Sequence, residues 1–341
     1  MRSLLLVSII LCSQVVSAQR AVDSLRAYYI QEYPNHFFVW PVLKHRTLTF
    51  DISDREDENK SISFKPNNTA SMGFGMYIFE VGVEVAFAIP INEEQKQIFG
   101  ESHSRDLQVN VLTKSWGVDL YFQKYSGFYK DDQRVKSAID GPNRADISTR
   151  NFGVAGFYVF NHREFSLRSS YNYAERQLKR RGSFILYGTI NAFKADADSA
   201  MLSPAIRAGL GNGSDFEDIT CTTLSVAPGY SYNYVWRKFF INGTLTVGPA
   251  HHWVFYREED GTEHYDISFN ATTYLRLGVG YNSDRFFGGL GFVIQSRAVT
   301  FEDIRFESAS STFRIMLGYR FKEKGFLQKR AWDFIPFLNN N

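Results

Sequence analysis

The chain has 341 residues and carries 38 Lys+Arg against 36 Asp+Glu, a formal net charge of +2. Near-neutrality excludes the basic footprint of a nucleic-acid-binding protein. Two cysteines, one of them inside an N-terminal leader, exclude a disulfide framework or a cysteine metal site. Aromatic residues make up 16%, with 31 Phe and 19 Tyr, a composition that favours strands. After the leader no apolar run reaches the roughly 18 residues of a spanning helix.

Residues 1–18 read as a secretory signal. Arg2 gives a positive start, Leu4 to Cys12 an apolar core, and Val16-Ser17-Ala18 a cleavage site before Gln19. Leu11 before Cys12 is not the small residue a lipoprotein signal needs. Residues 19–44 read as an N-terminal periplasmic segment. Its short helix runs from Ala21 to Tyr33, with Val22, Leu25 and Tyr29 on one side and Pro34 as its stop.

From there the pattern has a period of two. Trp116, Val118, Leu120 and Phe122 share one face, and Gly117, Asp119, Tyr121 and Gln123 the other. Candidate strands lie at 45–53, 70–78, 81–90, 104–113, 116–125, 147–160, 164–173, 182–195, 219–235, 239–256, 264–281, 285–300 and 311–322. Tight turns at Phe79-Glu80, Lys114-Ser115 and Asn161-His162-Arg163 follow even-numbered members of this series. Those at Arg237-Lys238 and Ser283-Asp284 follow odd-numbered ones. Short turns belong on one side of a bacterial barrel and long loops on the other. The break in parity therefore predicts a missing strand, and Ser203 to Leu210 is its candidate. Phe313 to Phe321 alternates and ends Leu317-Gly-Tyr-Arg-Phe321, like the closing strand that barrel-assembly machinery reads. Residues 323–341 form a tail.

The fold class expected is all-β: a single antiparallel transmembrane β-barrel of the outer-membrane type, about 12–14 strands, over residues 45–322. Both termini and the turns at 161–163 and 283–284 are placed in the periplasm, and segments 126–146 and 211–218 outside the cell.

Several short stretches carry a resemblance. They are Tyr33-Pro-Asn-His-Phe-Phe38, Lys65-Pro-Asn-Asn68, Phe157-Tyr-Val-Phe-Asn-His-Arg-Glu-Phe165 with Glu175-Arg-Gln177, Ala195-Asp-Ala-Asp-Ser199, and Gly280-Tyr-Asn-Ser-Asp-Arg-Phe-Phe287. In this order the chain resembles an uncharacterised family of exported proteins from Bacteroidetes-type bacteria, domain-of-unknown-function family 4421. The resemblance implies an outer-membrane barrel and brings no activity and no catalytic residues.

The chain shows little recognisable chemistry. There is no G-x-S-x-G motif. His162 stands in a polar turn without a serine at a recognisable spacing. His251 and His252 are adjacent, so on a strand they point to opposite faces and do not share an ion. Glu258-Glu-Asp260 reads as a solvated turn before it reads as a calcium loop. Gly73-Phe-Gly75, Gly278-Val-Gly280 and Gly288-Gly-Leu-Gly291 do not open helices and fit barrel bends better than phosphate loops. No cofactor, metal or enzymatic activity is expected.

Strand phase puts Glu84, Asp106 and Asp119 on inner faces of early strands, and Arg168, Arg276, Arg314 and Arg320 on inner faces of later ones. These charges either line a pore with a transverse field or pair as salt bridges in a filled lumen. The expected function is a passive solute channel or a surface scaffold, monomeric, with outer-membrane lipid and the assembly machinery as partners. The rivals are a lipid-acting barrel enzyme and a soluble secreted all-β binding protein.

Overall fold

The computed structural model describes residues 24–34, 36–57, 60–67, 70–78, 81–131 and 143–323. The signal at 1–18, the Phe79-Glu80 turn and the tail beyond residue 323 lie outside the described residues. In chain order come α1 (24–29), β1 (Ile30–Glu32), β2 (His36–Asp54), β3 (Ser61–Lys65), β4 (Ser71–Ile78) and β5 (Val81–Ala88). Then follow α2 (Glu93–Phe99), β6 (His103–Leu112), β7 (Trp116–Lys130), β8 (Asn143–Val159), α3 (Arg168–Tyr171), β9 (Glu175–Gln177) and β10 (Arg181–Asp196). The last elements are α4 (Pro204–Arg207), β11 (Phe216–Trp236), β12 (Phe239–Glu258), β13 (Glu263–Asn282), β14 (Phe286–Phe301) and β15 (Ile304–Lys322).

A continuous hydrogen-bonded ring of ten antiparallel strands runs β2-β3-β7-β8-β10-β11-β12-β13-β14-β15 and closes from β15 onto β2, from Ile304↔Asp54 to Lys322↔His36. Below the short β3, β4 and β5 extend from β2, and β6 extends from β7. The wall at that level therefore holds twelve strands. Burial alternates along them, as on β12 from Phe239 to Val254, because successive side chains of a strand point to opposite faces.

The outward face is apolar. Leu224, Val226, Leu245, Val247, Leu277 and Val279 are all exposed on it. Aromatic residues bracket this band: Phe239, Phe286 and Trp236 at the end where β2 begins and β15 finishes, called the terminal end below, and Trp253 and Phe269 toward the other. Fourteen positions separate Phe239 from Trp253 on β12. At about 3.3 Å per residue and the roughly 40° tilt usual for barrels, that is about 35 Å, the hydrocarbon thickness plus its interfaces. The chain is an outer-membrane-type β-barrel on this ground. No helix among the described residues is long and apolar enough to cross a membrane.

Twelve of the thirteen expected segments are wall strands, and four expectations need correction. Residues 164–173 are not a strand but part of an inward-folded segment. Ser203 to Leu210 is no hidden strand; Pro204 sits at the first position of the helical turn α4, where its missing N–H costs nothing. The break in parity comes from 164–173, which is not part of the wall; without it each of the tight turns given above follows an even-numbered member of the series. The helix expected over 21–33 covers only 24–29 among the described residues, and β1 follows it at once. The wall begins at His36 rather than residue 45. The first half of β2 escaped the alternation test because Phe38, Trp40 and Val42 point inward onto packed side chains while Val39 and Leu43 face out, leaving that stretch apolar on both faces.

Candidate functional site

The lumen is built in three layers. At the end opposite the termini lies an apolar core of Phe50, Phe64, Phe128, Phe216, Phe301 and Phe306, into which Met201 and Leu202 of the β10–β11 connection insert. Phe50 stacks between Phe64 and Phe306 with ring centroids 4.8 and 5.4 Å away. These rings fill the barrel mouth.

At the terminal end, residues 160–180 fold back into the barrel as a plug. Sequence alternation made 164–173 look like a strand, since Phe165, Leu167, Tyr171 and Tyr173 occur at period two. The serines between them decide otherwise. Ser166 Oγ accepts the Ser169 amide at 3.1 Å, and Ser169 Oγ donates to the Ser166 carbonyl at 2.7 Å; such local bonds compete with a strand ladder. The wall then satisfies the plug's backbone, as buried polar groups require. Asn233 on β11 donates to the Ser166 carbonyl at 2.9 Å. Asn282 on β13 donates to the Ser169 and Glu175 carbonyls at 2.9 and 3.0 Å. The N-terminal segment locks on from below: β1 pairs with β9, Ile30↔Gln177 to Glu32↔Glu175. Arg26 donates to both carboxylate oxygens of Glu175. Glu32 accepts from Arg26 and Lys114, each at 2.8 Å. Burial pushes the Glu32 carboxyl up, but these two cations outweigh it and hold it below the ordinary glutamate value.

Between core and plug lies a cavity of about 870 Å3. Glu84, Asp106, Asp119, Arg276 and Arg314 line it. The carboxylates stand on β5, β6 and β7 and the cations on β2, β13 and β15, and some of the two sets meet as ion pairs. Lys44 Nζ lies 3.1 Å from Glu84, Arg314 3.6 Å from the same carboxylate, and Arg46 2.5 Å from Asp106. Asp119 accepts from Asn110 and, at 3.3 Å, from the Tyr171 hydroxyl. Lys44 falls outside the expected strand 45–53; Arg46 falls inside it, but its pairing with Asp106 on β6 is a long-range contact; Tyr171 belongs to the plug, which alternation reads as wall.

Arg168 and Arg320 do not line the cavity. Arg168 belongs to the plug, donating to the Tyr77 hydroxyl at 2.5 Å and to Glu175 at 3.3 Å. Arg320, 1% exposed, clamps the terminal end: it donates to the carbonyl of Tyr173 at 2.5 Å, to that of Ser283, and to Asn282 Oδ1 at 2.8 Å. Close approach of side chains explains two of the glycines. A Cβ on Gly75 would collide with the Trp40 ring, and one on Gly289 would meet the Tyr173 hydroxyl at 2.7 Å.

The remaining sequence candidates are dispersed. His252 is buried inside against the Thr223 hydroxyl at 2.8 Å, while His251 packs between Trp253 and Phe269. His162 sits at the plug's first turn, its carbonyl accepting from Arg26. Glu258 pairs with His264, Glu259 with Arg207, and Asp260 accepts the Thr262 amide at 2.8 Å. Among the described residues no group of three His, Cys, Asp or Glu gathers to hold a metal ion.

Residues 21–321 match the family described as Domain of unknown function (DUF4421), and the chain belongs to it. No curated protein matches the chain. Among solved structures it is similar to the outer membrane protease OmpT from Escherichia coli, at 10% identity over 84% of this chain and 97% of that one, with a TM-score of 0.38. It is also similar to the translocator domain of the autotransporter NalP from Neisseria meningitidis, at 9% identity over 91% and 97%, with a TM-score of 0.33. A third likeness is to Ail of Yersinia pestis, at 9% identity over 84% and 99%, with a TM-score of 0.21. What those proteins do does not pass to this chain.

Proposed function

We propose that this member of the DUF4421 family is a closed-lumen outer-membrane barrel, a non-enzymatic scaffold or binding protein rather than a passive aqueous channel. One observation carries the reading. The lumen is stopped twice, by the phenylalanine core at one end and by the plug at the other, with paired charges in the chamber between them. Ions crossing such a barrel would have to displace both fillings, and each is tied by packing or by hydrogen bonds to several wall strands. A lipid-acting enzyme would need a hydroxyl paired with a histidine on the lipid face. The outward His251 has aromatic neighbours there, and the hydroxyl-bonded His252 points inside.

Purified protein in planar bilayers is expected to give no ohmic steps. Steady ohmic steps from the wild type would overturn the closed-lumen reading, and release of fatty acid from phospholipid vesicles would overturn the non-enzymatic one.

A further inference from the structure

Among the described residues the wall has one seam, between β5 and β6. The ladder of β4 with β5 runs from Ser71↔Ala88 to Ile78↔Val81, and that of β6 with β7 from His103↔Ser126 to Leu112↔Gly117. Among the described residues no ladder joins β5 to β6. Both edges present apolar side chains outward: Val83, Val85 and Phe87 on β5, and Leu107, Val109 and Val111 on β6, all exposed. The seam therefore lies in the lipid-facing band. An open strand edge is not tolerated in hydrocarbon, because its N–H and C=O groups find no partner; the exception is backbone that lines a water-filled cavity. Here the two edges open onto the chamber. Glu84 of β5 and Asp106 of β6 both line the chamber directly behind the seam, so seam and chamber form one feature that reaches from the membrane to the barrel interior.

The chamber's charges indicate what would occupy it. Each carboxylate has cationic or neutral donors, as given above. Arg276 does not have the converse. It donates to the Ser170 carbonyl at 2.8 Å and lies 3.5 Å from the centroid of the Tyr171 ring. Its Nε is buried without a hydrogen-bond partner, and among the described residues no carboxylate is within salt-bridge distance of it, the Asp119 charge acting on it from further off. Arg314 shares Glu84 with Lys44, and its Nε is also buried and unpartnered. A buried guanidinium with no carboxylate in contact, or with only a shared one, is incompletely neutralised, and an anion in the chamber relieves that cost. Arginine forks suit carboxylate and phosphate oxygens equally.

We infer that the chamber binds an amphiphile with an anionic carboxylate or phosphate head and one apolar tail, taken in sideways from the membrane between β5 and β6. The head sits at Arg276 and Arg314, and the tail lies in the seam against Val85 and Leu107. The inference rests on the closed-lumen reading, since with both ends filled the seam is the route the described wall offers.

The test uses the full mature chain in lipid nanodiscs, with dansyl-tagged undecanoic acid as probe and heat-modifiable migration as the check that each variant is folded. Saturable binding is expected, displaced by dodecanoate or dodecyl phosphate and not by dodecanol. Which of the two anions displaces better identifies the head. Arg276→Gln should weaken binding at least tenfold, and Arg276→Lys should retain most of it. Arg314→Gln serves as a second variant that leaves the plug contacts of Arg276 intact. In a Cys221→Ala background, Val85→Cys with Leu107→Cys joined by a reducible bis-maleimide should slow uptake at least tenfold, and reduction should restore it. Equal displacement by dodecanol, unchanged binding in both glutamine variants, or uptake indifferent to the crosslink would each overturn the inference. Silent bilayers without saturable binding would sink this inference alone. Ohmic steps with crosslink-sensitive binding would sink the closed-lumen reading alone.

Discussion

Arg26 and Glu175 meet at 2.7 and 2.8 Å across 149 positions of sequence, and their contact fastens the N-terminal helix to a plug inside the barrel. Glu175 is buried and also accepts from Arg168 and Ser166. Glu175→Ala would take from Arg26 and Arg168 the buried carboxylate they share, leaving Arg26 with Glu32, a loss of about 3–5 kcal/mol. Urea unfolding in lipid vesicles should show a lower midpoint of that size, whereas Glu164→Ala, at a partly exposed pair with Arg181, should cost under about 1 kcal/mol. Equal effects would mean that the plug is not held by this pair.

Acid should loosen the same fastening. Glu32 is held below its ordinary value of 4.5 by its two cations. A carboxyl lowered on folding contributes stability that is present above the unfolded value and is lost as pH falls through the folded one. Proteolytic nicking within 24–34 should thus increase below pH 4.5 and be slow at neutrality. Replacement with Gln should remove that pH dependence; if Glu32→Gln still opens only in acid, another group controls the clasp.

The outward phase gives a sharper contrast on neighbouring positions. Val109 and Leu120 are 45% and 43% exposed on the lipid face, and they stand opposite each other across β6 and β7. Val109→Arg or Leu120→Arg should each cost about 2–4 kcal/mol near the midplane and block assembly. Asp119→Asn changes the inner face, where the amide oxygen can still accept from Asn110 and the amide N–H can donate to the Tyr171 hydroxyl oxygen, so it should assemble. Outer-membrane fractionation and heat-modifiable migration read all three; equal damage would remove the lipid-facing assignment.

Where one wall face meets lipid and the other meets polar groups, the sequence was legible. β10 to β14 each fall within three residues of their expected bounds. Legibility fails where the lumen is packed. β2 turns apolar on both faces at Phe38, Trp40 and Val42, so period two disappears from its first half. The plug errs the other way: its aromatics recur at period two because they pack against the wall on one side, yet serine-to-backbone bonds bend the chain. The inner charges were found by phase alone where they stand on wall strands, as with Glu84 and Arg276. Their partners Lys44 and Arg46 depend on which strands close the ring, a long-range pairing that no local pattern encodes.

Topology can be read from the loops. The turn at 259–262 lies at the end opposite the termini, with the α4 connection beside it through Arg207 and Glu259. The turn at 237–238 lies with the plug, since Arg180 donates to the Val235 carbonyl. Exposed loop tips tolerate insertion. An epitope after Asp260 should be labelled on intact cells, and one after Lys238 only after the outer membrane is opened. The opposite result would invert the barrel and put the plug at the cell surface.

The two fillings of the lumen should be energetically independent. Phe50 lies in the phenylalanine core, stacked on Phe64 and Phe306, and Glu175 lies in the plug, with the charged chamber between them. Phe50→Ala should cost about 3–5 kcal/mol through lost transfer energy and an unfilled cavity. Mutations at sites without shared partners add to within about 0.3–0.5 kcal/mol. The double variant Phe50→Ala/Glu175→Ala should therefore lose the sum of the two single losses in vesicle unfolding. A shortfall or excess beyond about 1 kcal/mol would mean that the ends communicate through the wall strands they share. In that case the barrel would have to be treated as one cooperative filling rather than two stoppers around a chamber.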